Sequence, residues 1–345
     1  MATKKVLTDY KIETQSCRLS DPDLHALVKH LLPADKEKVS FTLTAETCIA
    51  NAFRRVMIEE IPVRVMVVDL KNVKTSEEYP SDWLATRLTQ IPIKQVEFVA
   101  SLCKRNTTGE IMEIMSGDIE FVVDGRKTPA AEIVDVTYPV LQLSPDKTVE
   151  IKNIRTEVQL GYGQGCGSCV GNLVYRQMRD RPTHLVLDTP TSAKLPEFKQ
   201  SPTLIPHAIS FNTVGTLRGA EIIPTVCDIL ADRLVKIRDF LADKNRVDNV
   251  NISLTTESHL SEVPIFRLKI HDESFTIGEM LSRYTYLQDT GIPYVGSSIT
   301  HPTERVCLLT WKHPAGPDIV VKAINQILAI LAEVKTGASG SVGKK

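Results

Sequence analysis

The 345-residue chain has an ordinary globular composition, with 42% hydrophobic and 24% charged residues, and is long enough for two or more compact domains. Its 41 basic and 42 acidic residues give a formal net charge of −1, whereas a protein whose main task is to grip nucleic acid normally carries a basic excess. This balance argues against nucleic-acid binding as the main function and favours protein partners. No apolar run is long enough for a membrane span, and residues 1–13 lack the apolar stretch of a secretion signal. We therefore expect a cytosolic or nuclear compartment.

The seven cysteines are scattered and odd in number, which suits a reducing compartment better than a disulfide framework. Only Cys166 and Cys169 are closely spaced, within the glycine-rich residues 161–171. This pair supplies two of the four ligands that a structural zinc needs, and no second pair accompanies it. The glycines also lack the Lys-Ser/Thr of a phosphate-binding loop. The stretch predicts a surface loop, and a metal- or phosphate-binding module at Cys166 and Cys169 is the alternative.

The first third of the chain predicts alternating helices and strands. Hydrophobic periodicity indicates a short helix over residues 20–33, a strand at 39–43 and a helix over 45–61 that Pro62 ends. A strand rich in β-branched residues follows at 63–70, and then a short helix over 82–89 with Ser81 as a candidate cap. From about residue 94 to 200, short apolar runs alternate with turn signals, which predicts a mostly β insertion.

The last third repeats this layout after a long helix predicted over residues 219–242. Strands are predicted at 250–254, 265–270, 293–300 and 305–311, and helices from Thr276 and over 317–334. Thr276 and Glu279 have the spacing of a capping box. The long helices carry five to eight apolar residues on one face, and each such residue is worth roughly 1.5–3 kcal/mol when buried. Two related units that pack on each other would cover these faces.

Two sets of motifs resemble subunits of multisubunit DNA-dependent RNA polymerases. Ile49-Ala-Asn-Ala-Phe-Arg-Arg-Val-Met57, Glu60-Ile-Pro62 and residues 83–93 resemble the bacterial alpha subunit, the archaeal D subunit and the third subunit of eukaryotic polymerase II. Residues 211–217 resemble that family's return to its dimerisation domain. Residues 270–281, with Gly296 and His301-Pro302, resemble the archaeal L subunit and the eleventh subunit of polymerase II.

The resemblance implies an α/β (α+β) fold in which two alpha-subunit-like dimerisation halves pack as an intramolecular pseudo-dimer, with a mostly β inserted domain. The implied organisation is an N-terminal extension at 1–38, a third-subunit-like half at 39–93 and 203–242, an inserted β-rich domain at 94–202, a linker at 243–249, an eleventh-subunit-like half at 250–334 and a flexible tail at 335–345.

The function implied is that of a non-catalytic scaffold that nucleates assembly of the large catalytic polymerase subunits. The expected partners are those subunits, especially the second-largest, and small polymerase subunits. DNA and RNA would be reached only through the complex, and neither a membrane, a cofactor, a metal nor a homodimer is expected. Such fusions are a feature of large DNA viruses that transcribe in the cytoplasm, which implies the virion and the host cytoplasm, or alternatively the nucleus. The histidines lack partners for acid–base or nucleophilic catalysis.

Two groups of residues are singled out by the resemblance. Asn51, Arg54 and Arg55 are expected to contact the second-largest subunit, although paired arginines on an arbitrary helix are more often simply solvated. Five apolar residues are expected in the internal pseudo-dimer interface: Phe53, Ile277, Met280, Leu281 and Ile324. The chain departs from the family in having only Cys103 where many members carry four metal-binding cysteines, and in having Glu273-Ser-Phe-Thr276 instead of an acidic-His-Thr run. A free-standing regulator that mimics polymerase subunits is a further possibility.

Overall fold

The computed structural model describes residues 6–15, 36–161, 168–178, 204–243, 247–248, 250–257, 263–301 and 304–342. The helix predicted over residues 20–33 and Cys166 lie outside these residues. The strands are β1 (Leu7–Gln15), β2 (Lys36–Ala45), β3 (Val63–Val67), β4 (Val73–Thr75), β5 (Val99–Arg105), β6 (Met112–Met115), β7 (Glu120–Val123), β8 (Arg126–Thr128), β9 (Pro139–Leu143), β10 (Thr148–Gln159), β11 (Val170–Gln177), β12 (Ile205–Thr213), β13 (Ile252–Glu257), β14 (Ile265–His271), β15 (Tyr294–Ile299) and β16 (Val306–Lys312).

The helices are α1 (Thr47–Arg55), α2 (Ser81–Thr89), α3 (Ala130–Ile133), α4 (Gly219–Ala242), α5 (Phe275–Gln288) and α6 (Asp318–Val342). A π-helical turn, Val56–Glu60, extends α1. These bounds confirm the predicted helices over 45–61, 82–89 and 219–242. All three were predicted from apolar residues that recur on one helical face. Among the described residues, no helix is both long and apolar enough to cross a membrane.

The protein is a mixed α/β fold with several antiparallel sheets, two of which have the same topology. Their strand orders are β1-β2-β12-β11 and β13-β14-β16-β15. In each sheet the second strand leads into a helix, α1 or α5, and the last strand in the sequence leads into a long helix, α4 or α6. The cross-strand partners repeat as well: Phe41 pairs with Ile209 as Leu268 pairs with Leu309.

The buried helix positions repeat at a constant sequence offset. The buried apolar residues of α1 and its π turn are Ile49, Ala50, Ala52, Phe53, Val56 and Met57. The same spacing in α5 gives the buried residues Ile277, Gly278, Met280, Leu281, Tyr284 and Thr285. Eight buried positions of α4, from Ile222 to Leu241, match eight of α6, from Ile319 to Ala338, in the same way. The chain therefore contains an internal structural repeat.

The two repeats share one hydrophobic core. Helix α1 packs on α5, α5 packs on α6, and α4 packs on α6. The buried apolar residues of all four helices belong to a single cluster with those of β2, β12 and β14 and with Leu309 and Trp311 of β16. A second, smaller core lies between the sheet β3-β10-β5-β7-β8, the two-stranded sheet β6-β9 and helix α2.

The second core divides the chain differently from the sequence-based boundaries. Leu84, Leu88 and Ile93, which were expected in the first half, lie in the core of the inserted region. Strand β11 falls within the predicted insertion at 94–202 but is an edge strand of the first four-stranded sheet. Strand β1 falls within the predicted extension at 1–38 and forms the other edge, where its Leu7 joins the main core.

Two predictions near helix ends are wrong. The residues 335–342 of the predicted flexible tail continue helix α6, because Ala338 extends the buried stripe and Gly337 lies against Leu7. The predicted cap at Thr276 is also wrong: Ser274 caps α5, and its Oγ accepts a hydrogen bond from the Thr276 backbone N–H at 3.2 Å. A serine in an extended conformation before the first turn satisfies this donor just as well.

Gly278 allows close packing of α5 on its sheet, and we expect Gly278→Ala to destabilise the protein. An added Cβ would lie 2.6 Å from Cys307 Sγ and 3.0 Å from Ser297 Cβ. Such overpacking costs about 1–3 kcal/mol and offsets the better helix propensity of alanine. Urea unfolding would measure the loss. Gly109→Ala, where the added methyl meets nothing within 4 Å, is the control, and equal stabilities of the two variants would contradict the prediction.

Candidate functional site

The predicted contact residues Asn51, Arg54 and Arg55 lie together on one strip of α1. Positions 51 and 55 are one helical turn apart and position 54 is their neighbour, so the three side chains share a face. All three are half-buried, beside the fully buried Phe53. Within the described residues, neither guanidinium has a hydrogen-bond or ion-pair partner. The strip therefore keeps two arginines that can take bidentate acceptors from outside the chain.

The repeat counterpart of Arg55 is Arg283 on α5, and its surroundings are different. The Arg283 Nε donates to Glu46 Oε2 at 3.0 Å, and its guanidinium lies 5.8 Å from the centre of the Tyr286 ring. Glu46 precedes α1, so this ion pair joins the two repeats. Ser274 occupies the repeat position that corresponds to Glu46, and its hydroxyl caps α5. Among the described residues, one arginine of the repeated pair thus has an internal ion-pair partner and the other has none.

The five apolar residues predicted for an internal interface lie in the shared core. Phe53, Ile277, Met280, Leu281 and Ile324 are all fully buried members of the same apolar cluster. They come from α1, α5 and α6, which pack against one another. Apolar residues that recur every three or four positions along each helix are the signal that identifies these faces in the sequence.

A buried ionic cluster of Glu60, Arg233 and Glu273 also joins the two repeats, and sequence patterns did not reveal it. Arg233, on α4, donates from Nη1 to Glu60 Oε2 at the end of the π turn, and the same nitrogen lies 3.8 Å from Glu273 Oε2. Glu273 belongs to the segment between β14 and α5. Its Oε2 is buried and makes no hydrogen bond to any residue that the structure describes.

Burial raises the pKa of Glu273 to about 7. Arg233 opposes this rise, whereas the neighbouring carboxylate Glu60 adds to it. Two carboxylates therefore share one guanidinium in a site with little solvent. An ionised Glu273 is incompletely compensated there, and a protonated Glu273 is neutral.

The glycine-rich stretch does not present Cys169 at the surface, so the prediction of a surface loop is wrong for this residue. Cys169 is fully buried in the main core, and its Sγ lies 3.8 Å from the Met57 carbonyl oxygen. Burial raises the pKa of its thiol to about 12, which disfavours the thiolate form that binds metals. Among the described residues, no three His, Cys, Asp or Glu side chains are grouped as metal ligands.

Two histidines connect elements of the fold. His207 is buried, and its Nε2 donates to the Ala45 carbonyl at 3.2 Å while its Nδ1 accepts from the Tyr175 hydroxyl at 2.9 Å. His313 Nε2 lies 3.1 Å from Asp289 Oδ2, and its Nδ1 accepts from the Ala315 N–H at 3.0 Å. In both cases the ring nitrogens hold neighbouring segments together.

The motif at residues 83–93 borders a surface groove. Trp83 is exposed and stacks on Tyr79, with ring centres 5.0 Å apart, and Arg87 Nη2 donates to the Pro139 carbonyl at 3.0 Å. The groove has a volume of about 290 Å³. The apolar residues of the motif, including Leu84 and Leu88, face inward into the second core.

A scan of the chain against models of known protein families matches none of them, and a search of curated proteins finds no similar sequence. The class of protein is therefore defined by the fold alone: a mixed α/β protein with an internal repeat, one shared core and an inserted β-rich region.

Proposed function

We propose that the chain is a fused assembly subunit of a multisubunit DNA-dependent RNA polymerase, with no catalytic activity of its own. The internal repeat is the observation that carries this proposal. In the proposed organisation the two repeats are the third-subunit-like and eleventh-subunit-like halves, which are separate chains in cellular polymerases. The motifs on α1 and α5 that resemble those subunits fall at equivalent positions of the repeat.

The helix contacts support a pseudo-dimer of the two halves. Helix α1 packs on its own counterpart α5, and α4 packs on its own counterpart α6. Contacts between equivalent elements are what a two-fold interface produces. The chain between Ala242 and Ile252 joins the halves, and a tether this short raises their effective concentration to about the mM range. Fusion would thus make pairing of the halves intramolecular.

The difference between Arg55 and Arg283 supports the strip of Asn51, Arg54 and Arg55 on α1 as the contact for the second-largest subunit. Arg283 is held by Glu46. Arg54 and Arg55 have no partner in the described part of the chain, so they can bind carboxylates or carbonyls of another protein. A strip of half-buried arginines beside an apolar face has the composition of a protein interface. In this proposal the scaffold acts in the virion and the cytoplasm of an infected host cell, or in the nucleus, and reaches DNA and RNA only through the complex.

The test is affinity purification of the tagged chain from its native source. We expect stoichiometric recovery of two very large subunits, with RNA synthesis by the recovered complex. Changing Arg54 and Arg55 together to glutamate should reduce recovery of the second-largest subunit by at least tenfold, because like charges then oppose the partner's carboxylates. The melting temperature of the isolated variant should change little, since both side chains lack internal partners among the described residues.

Arg126→Glu is the matched control, because Arg126 is an exposed arginine on β8, in the inserted region. This variant should recover the large subunits as the wild type does. Recovery of the wild-type chain alone, without large subunits, would overturn the proposed function. Sub-stoichiometric and reversible recovery would instead favour a regulator that mimics polymerase subunits.

A further inference from the structure

The cluster of Glu60, Arg233 and Glu273 lies where the two repeats meet. Glu60 and Arg233 come from the π turn and α4 of the first repeat, and Glu273 comes from the second, just before the Ser274 cap of α5. The other groups that act electrostatically on Glu273 are Arg305, which precedes β16, and the buried thiol of Cys307 on that strand. The surroundings of Glu273 thus hold two guanidinium groups, one carboxylate and one neutral thiol, and the Ser274 backbone N–H also favours the ionised form of Glu273.

The geometry favours Glu60 over Glu273 as the partner of Arg233. Arg233 makes a direct hydrogen bond to Glu60, but it lies 3.8 Å from Glu273 Oε2, beyond hydrogen-bond distance. Glu273 Oε2 is buried and has no hydrogen-bond partner among the described residues. A buried carboxylate oxygen without a close donor is costly when the group is ionised. A proton on Glu273 removes its charge and also its repulsion by Glu60.

We infer that Glu60, Arg233 and Glu273 form a proton-dependent joint that holds the segment between β14 and α5 of the second repeat against α4 of the first. With Glu273 protonated, the joint is closed. With Glu273 ionised, the segment opens more readily and releases the start of α5. The inference depends on the contact between the repeats and not on a role in a polymerase.

The direction of the pH effect follows from the raised pKa. The folded protein holds the Glu273 proton up to about pH 7, whereas an unfolded glutamate loses it near its ordinary pKa of 4.5. The folded state therefore binds more protons than the open state between these values, and its stability falls as the pH rises through this window. Well above pH 7 Glu273 is ionised in both states, and below about pH 4.5 it is protonated in both. In neither range does its titration change the stability of the folded state further.

Hydrogen exchange of the full chain, followed by mass spectrometry at pH 5 and pH 8, tests this joint. After correction for intrinsic exchange rates, we expect the amides of residues 272–281 to lose about tenfold or more of their protection at pH 8, since one pKa unit corresponds to a factor of ten. Glu273→Gln keeps the shape of the side chain but cannot ionise, so its protection should be equal at both pH values.

Two further variants make the result decisive. Glu279→Gln, an exposed change on the same helix, should keep the wild-type pH dependence. Glu60→Gln removes the repulsion by Glu60 and frees Arg233 for Glu273. Both changes favour the ionised form of Glu273, so the loss of protection should move to a lower pH than in the wild type. An unchanged pH dependence in Glu273→Gln, or no pH dependence in the wild type, would overturn the inference.

Discussion

Phe53→Asp is expected to leave the isolated chain unable to hold its native fold. Phe53 is fully buried on α1, in the core that α1 shares with α4, α5 and α6. Loss of the ring alone costs about 3–5 kcal/mol, and a carboxyl group without a partner in that space adds several kcal/mol more. The total approaches or exceeds the ~5–15 kcal/mol by which a typical domain is stable. Soluble yield and near-ultraviolet circular dichroism would show the loss.

Two control variants separate charge from shape and position. Phe275→Asp makes the same exchange at the first residue of α5, where Phe275 is 44% exposed. An acidic residue in the first turn interacts favourably with the helix dipole, so this variant should melt near the wild-type temperature. Phe53→Leu keeps an apolar side chain and should remain folded with a modest loss. Normal melting of Phe53→Asp would count against pairing of the two halves through α1.

The four long amphipathic helices could be predicted because their apolar residues recur with the helical period. The same period made the two halves recognisable as related, since Phe53 and Leu281 occupy the same position of the repeat. The end of α6 was missed because residues 335–342 are small and polar, and such a composition carries no hydrophobic period. Burial of Ala338 and the close approach of Gly337 to Leu7 become visible only when β1 is placed beside that helix.

Strands β1 and β11 were missed because both are edge strands. Each has a single buried residue, Leu7 in β1 and Val170 in β11. The apolar alternation that marks a strand is therefore weak, and in β1 it is replaced by charged residues such as Lys11 and Glu13. Charged edge strands are a common protection against edge-to-edge association. Because β1 and β11 were not predicted, the sequence did not show that the first half has the same four-stranded sheet as the second.

The candidate site could be predicted only in part, for a related reason. The helical face of Asn51, Arg54 and Arg55 follows from local spacing. The difference between Arg55 and Arg283 depends instead on Glu46, which lies 237 positions before Arg283 in the sequence. Ion pairs between such distant residues leave no periodic pattern, and the same holds for Glu60 and Arg233, which are 173 positions apart.

Arg233→Met is expected to destabilise the protein by about 3–5 kcal/mol, as removal of one partner from a buried ion pair generally does. The long apolar side chain of methionine replaces much of the arginine's bulk, so the effect comes mainly from charge. Glu60 and Glu273 are both buried, and without the guanidinium they repel each other. Arg233 opposes the raised pKa of Glu273, so without the cation Glu273 keeps its proton to a higher pH. The destabilisation should therefore be large at pH 8 and should shrink as the pH is lowered.

Arg238→Met on the same helix is the matched control for this effect. Arg238 pairs with the adjacent Asp239 at 2.8 Å near the surface, so its loss should change the unfolding free energy by less than about 1 kcal/mol. Urea unfolding at pH 5 and pH 8 distinguishes the two variants. Adding Glu60→Gln to Arg233→Met should restore part of the stability at pH 8, because one of the two uncompensated carboxylates is then removed. Equal losses in Arg233→Met and Arg238→Met, or a loss in Arg233→Met that is the same at both pH values, would mean that the cluster does not carry the junction between the repeats.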